Sequence, residues 1–163
     1  MVTDRKILIA DEGDLEELEE LERLCFLRPW TRESLSQELG DQNQRVVVKA
    51  LLDGQVVGYA ALWIIVDEGH ITRIAVHPQH RRKGVGRELV RALMQHGTEG
   101  GCVGFTLEVR EGNRAARAMY ESLGFRAQGK RPGYYEEERE DGIIMWWIPD
   151  WNQTEPDGKG VGR

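Results

Sequence analysis

Residues 71–96 read ITRIAVHPQHRRKGVGRELVRALMQH. The first six are rich in β-branched residues (Ile71, Thr72, Ile74, Val76), which favour a strand. The last twelve place Val85, Leu89 and Leu93 on one helical stripe. Between them, three cations (Arg81, Arg82, Lys83) run into two glycines, Gly84 and Gly86. A helix start exposes unpaired N–H groups and the positive end of the helix dipole. Glycine lets such a backbone approach a ligand closely or take unusual φ/ψ values. Strand, basic glycine turn and helix together form an anion cradle, suited to a phosphate or diphosphate. A Walker loop would need GxxxxGK[ST] at this junction, and none stands there. Alone, the turn equally describes a solvated surface loop.

KILIA (6–10) reads as a first strand. DEGDLEELEELERLCF follows with Leu15, Leu18, Leu21 and Cys25 at helical spacing, Asp11 or Asp14 as its cap, and a solvated acidic face. RPWTRESLSQELG predicts a second, short helix with Thr31 at its N-cap. Strands at 44–52, 55–66 and 69–77 form a meander, turning at Asp53-Gly54 and again at Asp67-Glu68-Gly69. CVGFTLEVR (102–110) is apolar on both faces until its end, as a central or parallel strand is. Asn113 caps a helix that stops at Gly124, and strands near 125–131 and 142–148 close the chain. The fold class is α/β, a mixed and mostly antiparallel sheet of about seven strands with helices on both faces. One domain is expected over 1–151, with a polar, glycine-rich and disordered tail over 152–163.

Twenty-two cations against 28 acids leave a net charge of −6, which opposes nucleic-acid binding. No apolar run is long enough for a membrane span, and the first residues lack a signal-peptide core, so a cytoplasmic location is expected. Cys25 and Cys102 read as two buried thiols, not a disulfide. His77 and His80 read as turn residues rather than metal ligands, and no metal is expected.

Glu108 lies near the end of the 102–110 strand between Leu107 and Val109, where desolvation would make it a better base. The plainer alternative is a strand-end glutamate paired with an arginine. Tyr120 lies on the following helix and is a core tyrosine when read in isolation. A strand end and the helix after it can nonetheless aim two side chains at one cleft.

The sequence resembles the GNAT superfamily of N-acetyltransferases. IAVHPQHRRKGVGRELVRAL is similar to its acetyl-CoA signature, with Arg81-x-x-Gly84-x-Gly86 as the diphosphate loop. LEVREGNRAARAMYESLGF and RPGYYEEEREDGIIM resemble the RimI-type branch, which acetylates the N-terminal alanine of small-subunit ribosomal protein eighteen. The likeness covers about 5–148 and includes Pro29-Trp30-Thr31. It implies acetyl-CoA as cosubstrate, with Ile74, Ala75 and Val76 along the pantetheine arm. Arg81, Arg82, Lys83, Gly84, Val85, Gly86 and Arg87 would hold the diphosphate, and Asn113 would contact the cofactor. Glu108 becomes the base and Tyr120 the acid. Trp30, Tyr134, Tyr135 and Asp141 fall where the branch binds its peptide. The acidic run 136–141 could attract a basic ribosomal tail. Thr72-Arg73 departs from the branch, which more often carries an aromatic and an asparagine there. Two other readings stay open: the same enzyme with a small amine or a different protein N-terminus as acceptor, and a non-catalytic CoA-binding module. The oligomeric state is not legible.

Overall fold

The structure, a computed structural model, describes residues 4–40, 43–135 and 140–149, without the side chains of Tyr134 and Tyr135. The proposed tail, 152–163, lies outside these residues.

Strand β1 (Arg5–Ile9) leads into helix α1 (Leu15–Cys25) and helix α2 (Arg32–Gly40). Asp11 caps the short turn before α1, accepting from the Gly13 N–H. Asp14 is instead engaged by Lys49 at 2.7 Å and gives α1 no side-chain cap. Thr31 caps α2 as expected, its hydroxyl oxygen accepting from the Ser34 N–H at 3.1 Å.

Strands β2 (Arg45–Leu52), β3 (Gln55–Ile65) and β4 (Glu68–Val76) form the meander. Asp53 and Gly54 both have positive φ, as a two-residue hairpin turn demands. The second turn sits earlier than the sequence suggests, at Val66 and Asp67, with Val66 at φ 58°. Gly69, read as a turn residue, lies inside β4. A Cβ there would stand 2.5 Å from the Phe105 ring, so packing and not chain reversal requires glycine.

Helix α3 (Val85–Glu99) crosses to β5 (Gly104–Arg110), which is followed by α4 (Arg114–Ser122), β6 (Arg126–Tyr135) and β7 (Glu140–Trp147). The seven strands form one sheet in the order β1-β2-β3-β4-β5-β7-β6. Every neighbouring pair is antiparallel except β4 and β5. Mixed sheet and helices on both faces are as the sequence predicts.

Two cores flank the sheet. On one face α3 and α4 bury Val85, Leu89, Leu93 and Tyr120 against Val48, Ala60, Phe105, Leu107 and Val109. On the other, α1 and α2 bury Leu18, Leu21, Leu35 and Leu39 against Val47, Tyr59, Ala61 and Ala75. The parallel β4–β5 ladder holds three pairs only: Glu68–Gly104, Gly69–Phe105 and His70–Thr106. Beyond them the strands diverge. From Ile71 to Val76, β4 keeps β3 on one side and has no described strand on the other.

Phe105 is fully buried, and its ring lies where a Cβ on Gly97 of α3 would also fall, at 2.5 Å. Alanine would gain about 1 kcal/mol of helix propensity but force an overpacking cost of roughly 1–3 kcal/mol. Gly97→Ala is therefore expected to lower the thermal midpoint by a few degrees. A raised midpoint in a melting scan would show that the helix shifts freely and that Phe105 does not demand glycine at this position.

Candidate active site

The divergence of β4 and β5 opens a cavity of about 820 Å³. Ile74, Ala75 and Val76 of β4 line it, with Arg81, Arg82, Gly84, Val85, Gly86 and Arg87 of the turn and the start of α3. Asn113 and Tyr120 line it from the side of α4. One strand, one turn and two helix starts thus bring together most of the residues expected to hold the cofactor.

The turn has the geometry of an anion site. Arg82 and Gly84 both have positive φ, at 63° and 82°, and Gly84 is the N-cap of α3. The first bond of the helix runs from the Glu88 N–H to the Gly84 carbonyl. The amides of residues 85–87 therefore precede the intrahelical ladder. Gly86 has no positive φ. A Cβ there would meet Met119 and Val76 at 3.7 Å, so its value is a cleft left open between β4 and α4. The Lys83 side chain does not line the cavity; the Lys83 carbonyl accepts from Arg5 of β1 at 2.8 Å. Because carbonyl and N–H are opposed in a trans peptide, this bond turns the Gly84 N–H away from β1. Arg5 also pairs with Glu88 at 2.6 Å, so the first strand braces the turn.

Other members of the set are held locally. Arg81 donates from Nε to the Val76 carbonyl at 3.1 Å, and Arg87 donates to the Ser122 hydroxyl at 2.7 Å. Asn113 caps α4 through its side-chain oxygen, which accepts from the Ala116 N–H. His77 closes the turn after β4, its Nδ1 accepting from the Gln79 N–H. His80 also faces the cavity, and desolvation, Lys83 and His77 push its imidazole pKa down. Among the described residues no group of His, Cys, Asp or Glu gathers as a metal site.

Tyr120 is buried, packed edge-on to Phe125, and faces the cavity. Glu108 does not line it. Its Oε1 pairs with Arg131 of β6 at 2.8 Å, which is the plainer alternative read from the sequence. Phe105, Leu107 and Val109 point into the α3–α4 core. Alternation along β5 therefore sends Glu108 to the α1–α2 face. Glu108 and Tyr120 approach from opposite faces of the sheet, and the β4–β5 gap is the opening between those faces.

The residues expected to bind a peptide are dispersed. Trp30 lines an adjoining groove of about 990 Å³ with Leu21, Val56 and His77. Asp141 accepts the Gly133 N–H at 2.8 Å within the β6–β7 hairpin. The Tyr134 and Tyr135 side chains, and residues 136–139 of the acidic run, lie outside the described residues.

Several residues of the site are not singled out by the sequence. Phe26, Arg110, Met119 and Ser122 line the cavity. So does Cys25, which is half-buried rather than buried and donates its thiol to the Val76 carbonyl. Arg110 was legible as the next residue on the face of Glu108. The others required the tertiary fold.

The acetyltransferase (GNAT) family matches residues 15–125. The chain belongs to that family. It is 34% identical over 142 residues to the ribosomal protein bS18-alanine N-acetyltransferase of Salmonella typhimurium, covering 85% of this chain and 94% of that one. The crystal structure of the ribosomal-protein-S18-alanine N-acetyltransferase from Escherichia coli superposes with a TM-score of 0.81 at 31% identity, over 89% of this chain and 94% of the other. The PaiA N-acetyltransferase from Thermoplasma acidophilum, crystallised with coenzyme A, shares the fold at TM-score 0.78 and 18% identity, over 89% and 99% of the two chains. This GNAT chain is an acetyl-CoA-dependent N-acetyltransferase. The unbonded helix-start amides and the flanking arginines fit the diphosphate, and the unpaired edge of β4 fits the pantetheine arm.

Burial raises the Cys25 thiol pKa above its ordinary value, outweighing the opposing effect of Arg81. Alkylation by iodoacetamide at pH 7.5 should be slow and should quicken as pH rises toward thiolate formation. Coenzyme A should suppress it, as read by peptide mass spectrometry. Rapid labelling indifferent to coenzyme A would contradict the placement of this thiol in the cofactor cleft.

Proposed function

We propose that the acceptor is a protein N-terminal α-amine, with the N-terminal alanine of a bS18-type ribosomal protein as the natural case. The observation that supports this most directly is the match to enzymes of that name at 31–34% identity across most of both chains. Entry of such a chain end from the side of α1 and α2 is supported by Cys25 and Phe26, which line the same cavity as the α4 residues across the β4–β5 gap. The reaction then belongs to a cytoplasmic enzyme; among the described residues no helix is long and apolar enough to cross a membrane.

The chemistry asks little of the protein beyond placement and two proton transfers. Acetyl-CoA supplies an activated carbonyl with a thiolate leaving group. An α-amine with a pKa near 8 is neutral to roughly a tenth to a quarter between about pH 7 and 7.5, whereas a lysine near 10.4 is neutral at about one part in a thousand or less. In this reading Glu108 accepts the proton that the amine nitrogen loses as its bond to the acetyl carbon forms. Tyr120 gives its proton to the departing sulfur as the carbon–sulfur bond breaks. Backbone N–H groups on the open edge of β4 stabilise the developing oxyanion. Loss of one such donor typically costs about 3–4 kcal/mol. Arg131 orients Glu108 by holding one carboxylate oxygen at 2.8 Å.

Glu108→Gln and Tyr120→Phe should each lower kcat by roughly 10²- to 10³-fold, within the usual range for general acid–base groups. The calorimetric Kd for coenzyme A should stay within twofold. Parent-rate turnover by both variants would remove these roles. A panel of peptides varied at the first residues, with the acetyl group located by mass spectrometry, tests the acceptor. Modification confined to α-amines, with alanine-initiated ribosomal sequences preferred, is expected. Modification of lysine side chains or small amines alone would overturn it.

A further inference from the structure

Glu22 of α1 is a carboxylate with no exposed surface, outside every role described above. A buried charge is tolerated only when paired and hydrogen-bonded, and Glu22 is fully occupied. Arg73 of β4 grips it with two nitrogens, Nε to Oε2 at 2.9 Å and a terminal nitrogen to Oε1 at 2.6 Å. The Trp30 N–H donates to Oε1 at 2.6 Å, and the Tyr59 hydroxyl donates to Oε2. Burial, with Glu22 beside it, pushes the Tyr59 phenol far up, so it remains a donor.

The same guanidinium reaches further. It donates to the Arg28 carbonyl at 3.2 Å. Its central carbon lies 3.5 Å from the Phe26 ring centre and 4.7 Å from that of Trp30. One side chain thus touches three residues of the connection between α1 and α2, and through Glu22 it secures the Trp30 backbone as well. Phe26 lines the cofactor cavity, and Trp30 lines the groove beside it. Arg73 sits at an irregularity of β4: Ala61 pairs with Arg73 and Leu62 with Ile71, so Thr72 is an extra residue in the ladder. Such a bulge re-aims the side chains that follow it. Ile74, the next residue, begins the wall of the cavity.

We propose that Arg73 is a positioning residue that clamps the 26–31 connection onto β4 and so fixes the wall along which the acceptor amine enters. The proposal rests on the acetyltransferase reading above and deepens it. Arg73 touches no reacting atom. Its charge is cancelled by Glu22, so the entry wall carries the guanidinium without presenting net charge to an incoming amine. A buried ion pair is weak evidence for stability and is often matched by apolar packing, so geometry is the distinctive contribution here.

Two variants separate geometry from charge. Arg73→Asn removes both. Arg73→Lys keeps Glu22 compensated and is the deciding variant, because lysine cannot span a carboxylate fork, a carbonyl and two rings at once. With an alanine-initiated peptide, both variants should raise KM for the peptide, at least tenfold for Asn and about fivefold for Lys. Kd for coenzyme A should stay within twofold of the parent. Hydrogen exchange over 26–31 should quicken while exchange over 85–90 does not. A parent-like peptide KM in Arg73→Lys would overturn the clamp and reduce Arg73 to charge compensation. So would a coenzyme A Kd that rises in step with KM, or unchanged exchange over 26–31. The ratio of variant to parent is taken on whichever amine the parent acetylates. A parent that modifies only other amines therefore counts against the acceptor reading and not against the clamp.

Discussion

The site depends on a ladder that stops. β4 and β5 are held together by three parallel pairs at their N-terminal ends and then part. Open α/β sheets bind ligands at the carboxyl ends of parallel strands, where the chain leaves in opposite directions. Here α3 leaves β4 and α4 follows β5, so two helix starts and the facing edges of the two parted strands surround the same opening. Hydrogen-bonding groups that a continuous sheet would consume are left for a ligand. Had the ladder continued to Val76 and Arg110, the helix-start amides would remain, but no channel would lead from them toward Glu108 and Tyr120.

The two faces of the sheet serve this opening differently. The α3–α4 side is apolar, and there the Phe105 ring is lodged against Gly69 and Gly97. That contact fixes α3 against the paired part of β4 and β5, just before the strands part. The α1–α2 side buries charge as well: Asp14 pairs with Lys49, Glu38 with Arg45, and Glu22, which has no exposed surface, with Arg73. Exposed pairs such as Arg23–Glu20 add little to stability. The Glu22–Arg73 pair differs because both partners are largely buried and each also bonds to backbone of the 26–31 connection.

Local pattern carries much of this in the sequence. The stripe Val85-Leu89-Leu93, the Thr31 cap and the Asp53-Gly54 turn each depend on near neighbours, and each forms where the pattern puts it. The glycine-rich turn is legible because helix-start chemistry is local too. Gly69 takes a role other than its surroundings suggest, because glycine serves turns, positive φ and close packing alike, and only tertiary contacts distinguish them. Glu22 carries a visible sign, a charge beside Leu21 on the stripe that Leu18 and Cys25 share. Without its partner 51 residues away it reads as part of a solvated acidic face. The parting of β4 and β5 has no local sign, since register between strands separated by a helix is set by packing across the whole sheet.

The most direct measurement is a crystal structure of the protein with coenzyme A. The diphosphate is expected on the amides of residues 85–87 and the pantetheine arm along Ile74–Val76. The sulfur is expected in the β4–β5 gap, between Tyr120 on one face and Glu108 on the other. A ligand bound at the adjoining groove, or a sulfur remote from both side chains, would contradict this arrangement.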